Sequence, residues 1–274
     1  MNSLKSLPSQ MVSSLSSLQL FSMHNMFWSS CYNRDGERRL LEELERLEHI
    51  DDISIYLTSV SSTQTLFNSQ RLRRSTKQLR LYDCKSMNLV QLSLYIETLH
   101  IVLCHELQDV KISLEKEVVV YSKFPKHQCL NNLCCVQIFG CDKLLNLTWL
   151  IYAPSLQFLL VQFCNSMEKV IDDEISELLE IEVDHSGVFS RLISLTLTTL
   201  PKLRSIHGRD LPFPSLRHIK VFNYLNLWKL PFDSNVGISK KLEKISGEKE
   251  WWDGLEWEDQ TIMHNLTPYF QPLN

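Results

Sequence analysis

Leu156-Gln157-Phe158-Leu159-Leu160-Val161-Gln162-Phe163-Cys164 decides the reading of this chain. Leu156, Leu159, Val161 and Cys164 fit the spacing L-x-x-L-x-L-x-x-N/C. In the central L-x-L stretch successive side chains point to opposite sides, so Leu159 and Val161 share one face and Leu160 and Gln162 the other. The same spacing recurs at Leu133, Val136, Ile138, Cys141 and at Ile96, Leu99, Ile101, Cys104. It recurs again at Thr76, Leu79, Leu81, Cys84, at Leu192, Leu195, Leu197, Leu200 and at Leu216, Ile219, Val221, Tyr224. Two weaker copies lie upstream, Leu15, Leu18, Leu20, Met23 and Ile50, Ile53, Ile55, Thr58. First positions at 15, 50, 76, 96, 133, 156, 192 and 216 leave gaps of 20 to 37 residues, the longer ones reading as repeats with an outer insertion.

The expected fold class is therefore α/β. It is a leucine-rich-repeat solenoid, a horseshoe with short parallel strands on its concave face and irregular loops or short helices on its convex face. Residues 1–235 form an array of about eight irregular repeats whose N-terminal end is expected to be cut, and residues 236–274 form a C-terminal cap or tail. Leu40, Leu41, Leu44 and Leu47 fall on one face of a convex helix. Four of the eight Cys, at 84, 104, 141 and 164, share the template position that turns the chain after the strand, so they are expected as buried small hydrophobes with a weak S–H donor.

Apolar residues make up 44% and charged residues 22%, enough to bury a core and too apolar for disorder. A net charge of −4 gives no basic surface for nucleic acid, and no nucleic-acid partner is expected. The sequence contains neither a signal-peptide pattern nor an apolar run of roughly 18 residues, so the expected location is the reducing cytoplasm, with no membrane span. On that reading the glycosylation sequons at Asn146 and Asn265 are bystanders.

The repeats resemble the C-terminal leucine-rich repeats of plant coiled-coil nucleotide-binding resistance proteins. The resemblance is carried by Ala153 through Ile171, by Phe189 through Ile206, by Phe213 through Phe222 and by the Trp-rich tail Gly247 through Asp259. Leu4 through Pro8, followed by Leu15 through Leu20, resembles an earlier repeat of the same array. The resemblance implies a module for ligand recognition and autoinhibition in plant defence. Its implied partners are proteins: a pathogen effector, a guarded host protein, or the receptor's own nucleotide-binding domain. No G-x-x-x-x-G-K-[ST] loop is present, and with seven Gly no other phosphate cradle stands out, so no nucleotide cofactor is expected and the chain reads as a fragment. Two alternatives stand beside this reading. One is a generic repeat adaptor, such as the substrate-recruiting part of a ubiquitin ligase; the other is a non-functional truncated product.

Chemistry is thinly represented. Cys129, Cys134, Cys135 and Cys141 lie near one another but lack the paired spacing of a zinc site, and no metal is expected. The acidic run from Asp172 to Asp184 lacks the residue order of a calcium loop and reads as a solvated convex insertion. Arg71, Arg73, Arg74, Lys77 and Arg80 form the one basic cluster, read as a solvated repeat edge. No G-x-S-x-G elbow occurs and nothing places a nucleophile beside a base, so an enzyme is not expected. Trp251, Trp252 and Trp257, interleaved with acids, suit a cap over the last repeat, with a partner-binding aromatic patch as the sharper alternative.

Residues flanking the third template position face the concave side: Arg80 and Tyr82, His100 and Val102, Gln137 and Phe139, Leu160 and Gln162, Thr196 and Thr198, Lys220 and Phe222. Among these, Arg80, Tyr82, His100, Gln137, Phe139, Gln162, Thr196, Lys220 and Phe222 are the candidate protein-binding residues of a mixed polar, aromatic and basic ladder, in which aromatic and Arg side chains are the usual hot-spot types.

Overall fold

The computed structural model describes residues 12, 14–23, 34–112, 129–172, 187–208, 211, 213–223, 226–232, 241–257 and 259–273. The leading residues Leu4 to Pro8, the acidic run beyond Asp172, and Tyr224 lie outside them.

Ten strands form one parallel sheet in chain order, broken only where β4 (Leu89–Leu92) and β6 (Asp109–Ile112) leave to pair with each other. The ten are β1 (Leu20–Ser22), β2 (Asp52–Leu57), β3 (Thr76–Tyr82), β5 (Thr98–Val102), β7 (Cys135–Phe139), β8 (Phe158–Gln162), β9 (Ser194–Thr198), β10 (His218–Phe222), β11 (Lys244–Gly247) and β12 (Phe270–Pro272). This is the expected solenoid: each repeat adds one strand beside the last. Leu79, Leu99, Val136, Leu159, Leu195 and Ile219 stand opposite one another across β3 to β10, as the template requires. They and their partners two residues on are buried, and stacking them removes one continuous apolar ridge from water.

The turn after each strand explains the cysteines. Asp83, Leu103, Gly140, Phe163, Thr199 and Asn223 all take a positive φ, between 45° and 65°. That conformation costs roughly 1–2 kcal/mol for a residue with a Cβ. A ladder bond offsets it: the N–H of Leu103 donates to Phe139 O at 2.7 Å and that of Gly140 to Gln162 O at 2.9 Å. The chain then reverses, and Cys84, Cys104, Cys141 and Cys164 drop into the core at no more than 1% exposure. Their thiols donate to carbonyls, Cys164 to Gln162 O at 3.4 Å and Cys84 to Leu57 O at 3.6 Å.

The two upstream copies correct the sequence frame. Phe21, not Leu18, pairs with Ile53, and the Met23 N–H bonds Ser54 O, so Met23 takes the level expected for Leu18. Leu18 lies ahead of the strand and Leu20 is 58% exposed. Ile55, not Ile53, pairs with Leu79, and the register slips by one residue at Ile53/Ser54, where Ile53 faces Thr76 and Ser54 faces Gln78. Both stretches are rich in apolar residues at several phases, so spacing alone could not choose the frame.

The predicted convex helix is α1 (Arg34–Glu45), with Leu40, Leu41 and Leu44 buried and Leu47 beneath its end. Two short helices, α2 (Val60–Asn68) and α3 (Gln70–Ser75), follow β2. Arg71 of the basic cluster is not simply solvated: its guanidinium donates to Glu45 O and Leu47 O at 3.1 and 2.9 Å, satisfying carbonyls at the α1 C-terminus. Glu37 on α1 is fully buried. Its carboxylate accepts from Thr58 N at 2.8 Å, from the Thr58 hydroxyl and from Ser59 Oγ at 3.2 Å, tying α1 to the end of β2.

The sheet continues past residue 235 through β11 and β12. Trp251 and Trp252 sit buried on the helix Lys249–Asp253. Trp252 stacks on Phe270 at 4.4 Å, and the Trp251 indole donates to Leu227 O at 3.1 Å. The outer edge of β12 offers no N–H at residues 270 and 272. Phe270 gives its own to Thr267 O, and Pro272 has none at a position that, by alternation with the inward Leu273 N–H, faces outward.

Candidate protein-binding face

The face of the sheet opposite the core carries the candidate residues. Arg80, His100, Gln137, Leu160, Thr196 and Lys220 stand opposite one another on successive strands and form one row. Tyr82, Val102, Phe139, Gln162, Thr198 and Phe222 form the next. The structure thus brings all nine sequence-derived candidates onto one face. Eight of them are half-buried and Lys220 is exposed.

Sequence reasoning passed over a third row, one step earlier along each strand: Gln78, Thr98, Cys135, Phe158, Ser194 and His218. The same two-residue alternation, extended backwards, would have found it. It also missed Tyr56, which pairs with Arg80 in register and packs against Tyr82 at 5.8 Å between ring centroids; the alternation around Ile55 would have found it. Phe163, 44% exposed on its left-handed turn, lies 5.0 Å from Phe139.

The electrostatics of the face are one-sided. From β3 to β10 no Asp or Glu occupies an open-face position of the ten-stranded sheet, while the cations Arg80 and Lys220 do; His218 meets Glu243 Oε2 at 3.2 Å. Arg80 and His100 are joined: Nε and Nη2 of the guanidinium approach His100 Nδ1 at 3.1 and 2.9 Å. An Arg can only donate, so Nδ1 accepts and the ring is neutral. Burial, and then the Arg80 charge, push the His100 pKa down to about 4. Burial and the neighbouring Tyr82 hold the Tyr56 hydroxyl well above the usual tyrosine range. Gln162 donates to the Thr198 hydroxyl at 3.2 Å, fixing one further pair across strands.

Among the described residues no three His, Cys, Asp or Glu side chains gather as metal ligands. Cys134 donates to Glu97 O at 3.3 Å, and burial raises the pKa of the Cys135 thiol on the open face. Hydrogen bonding to the adjacent thiol, followed by burial, pushes Cys84 and Cys141 far above the thiol range, so both remain protonated and unreactive. The first sequon is engaged internally: Thr148 donates to Asn146 Oδ1 at 2.8 Å and accepts from Asp172 N at 2.9 Å.

A parallel strand per repeat, a buried aliphatic ridge, a left-handed turn into a buried Cys, and a broad face of half-exposed side chains define a leucine-rich-repeat solenoid of the interaction type. The chain belongs to the RPS2-like leucine-rich-repeat family of plant disease resistance proteins, whose profile matches residues 104–246. It is similar to Disease resistance protein RPS5 of Arabidopsis thaliana, 34% identical over 237 residues, 84% of this chain and 26% of that protein. Disease resistance protein SUMM2 of Arabidopsis thaliana is 31% identical over 238 residues, 85% of this chain and 26% of that protein. The chain therefore spans about a quarter of the length of these relatives. Among the described residues no helix is long and apolar enough to cross a membrane.

Proposed function

We propose that the open face of the sheet is the recognition surface of an intracellular plant immune receptor, and that it binds protein. The partner is a pathogen effector, a guarded host protein or the receptor's own nucleotide-binding domain. On this reading the chain performs no chemistry itself and works in the cytoplasm. The observation that carries the reading is the gathering of Tyr82, Phe139, Phe222 and Arg80 with their polar neighbours on one face, in adjacent rows across six strands. A twisted parallel sheet places these side chains at fixed spacing without loops to order, so little conformational entropy is lost on binding.

The test is a full-length receptor carrying Tyr82→Ala, Phe139→Ala and Phe222→Ala. Loss of recognition, or constitutive signalling through lost autoinhibition, is the expected result. Unchanged recognition together with unchanged resting activity would overturn the assignment.

A further inference from the structure

We infer that Trp228, Lys202 and Arg204 form a second docking site, away from the open face, which takes an acidic peptide segment of a partner protein through an aromatic side chain. Lys202 and Arg204 flank Leu203 in one repeat, and Asn226 and Trp228 flank Leu227 in the next. The two leucines are buried, and the four flanking side chains stand exposed around a cavity of about 320 Å³.

Three observations converge there. Trp228 is 46% exposed, whereas Trp149, Trp251 and Trp252 are no more than 7% exposed. An indole left in water at the rim of a cavity is the side-chain type that contributes most when a partner covers it. Lys202 and Arg204 pair with no carboxylate among the described residues, and the Arg204 backbone N–H bonds Glu168 O at 2.8 Å. Among the described residues these two cations stand side by side without a carboxylate partner, in a chain whose net charge is −4.

The walls are also held in place. Trp228 O accepts from Glu256 N at 2.7 Å, and the Asn226 amide donates to Pro201 O. An exposed indole on a tethered backbone, next to two cationic donors, matches a segment that offers a ring and carboxylates together. An inorganic anion would use only the charges, and a neutral apolar segment only the indole.

The site is tested with the 274-residue chain and an acetylated Asp-Glu-Phe-Glu-Asp peptide amide, titrated by calorimetry at low and high salt. Binding should weaken with added salt as the charges are screened. It should also weaken at least tenfold on Trp228→Ala, on the pair Lys202→Glu and Arg204→Glu, and on replacing the peptide's Phe by Ala. Circular dichroism checks that these surface variants keep the fold. The open-face triple variant should bind the peptide as the parent does, which separates this site from the recognition face. Absence of peptide binding, retention in the Trp228→Ala chain, loss in the open-face variant, or tighter binding of a single-stranded oligonucleotide would each overturn the inference.

Discussion

Arg80 grips His100 through one acceptor: two nitrogens of the guanidinium converge on Nδ1 of the imidazole one strand away. The pair exists only while that nitrogen keeps its lone pair, so the first rungs of the open face are built around a neutral histidine. Protonating His100 would set two cations against each other.

A pH dependence follows. The folded pKa of His100 lies at about 4, below its ordinary 6.5, so the unfolded chain binds the proton more tightly than the folded one. The contribution is fully present above pH 6.5 and is lost as pH falls through the window from 6.5 to about 4. For a half-exposed ring the loss is on the order of 1–2 kcal/mol after solvent screening. Urea unfolding of the parent and of His100→Gln at pH 7 and pH 4.5 measures it. The drop in midpoint between the two pH values should be smaller in the variant.

Glu37 should matter more for stability than any surface carboxylate. Its buried oxygens accept three hydrogen bonds from Thr58 and Ser59. Glu37→Ala removes the acceptor of the Thr58 N–H and hydroxyl, while Ser59 Oγ keeps Ser62 Oγ at 2.7 Å, at a cost of roughly 1–3 kcal/mol. Glu37→Gln retains one acceptor and should cost less. Thermal unfolding of the two variants against Glu42→Ala, on the exposed side of α1, gives the comparison; equal melting temperatures for Glu37→Ala and Glu42→Ala would contradict the anchoring role.

Gly247 governs the packing of the C-terminal end. A Cβ there would lie 2.5 Å from Trp251 Cε3 and 3.0 Å from Val221 O. The indole cannot yield freely, because its N–H is bonded to Leu227 O. Gly247→Ala is therefore expected to cost about 1–3 kcal/mol through overpacking. Near-ultraviolet circular dichroism should change with it as the tryptophan ring shifts, and an unaltered spectrum with unaltered stability would show that the cluster is looser than its geometry.

The later repeats were legible in the sequence because each copy has one plausible frame. Cys, Leu or Tyr closes the template after two buried aliphatic residues, and a slip of one residue would turn the apolar set out of the core. The predicted rows from Arg80 to Lys220 and from Tyr82 to Phe222 follow from that alternation alone. The first two copies were not legible in the same way. Leu15, Leu18, Leu20, Phe21 and Met23 offer several phases, and the bulge at Ile53/Ser54 leaves no mark in the spacing.

The sequence by itself determined that this chain is a leucine-rich-repeat array, that its central Cys residues are buried, and which side chains of the regular strands avoid the core. Those are consequences of period, and period is local. Only the tertiary structure decided which strand stands beside which, and hence that Arg80 meets His100, that Tyr56 joins Tyr82, and that the Glu37 carboxylate is sealed under Thr58. It alone showed Trp228 left in water while Trp149, Trp251 and Trp252 are covered. These depend on contacts across 20 or more residues of chain, where the insertion lengths between repeats set the meeting points. No spacing rule carries that information, because the pairing partner is chosen by stacking and not by sequence distance.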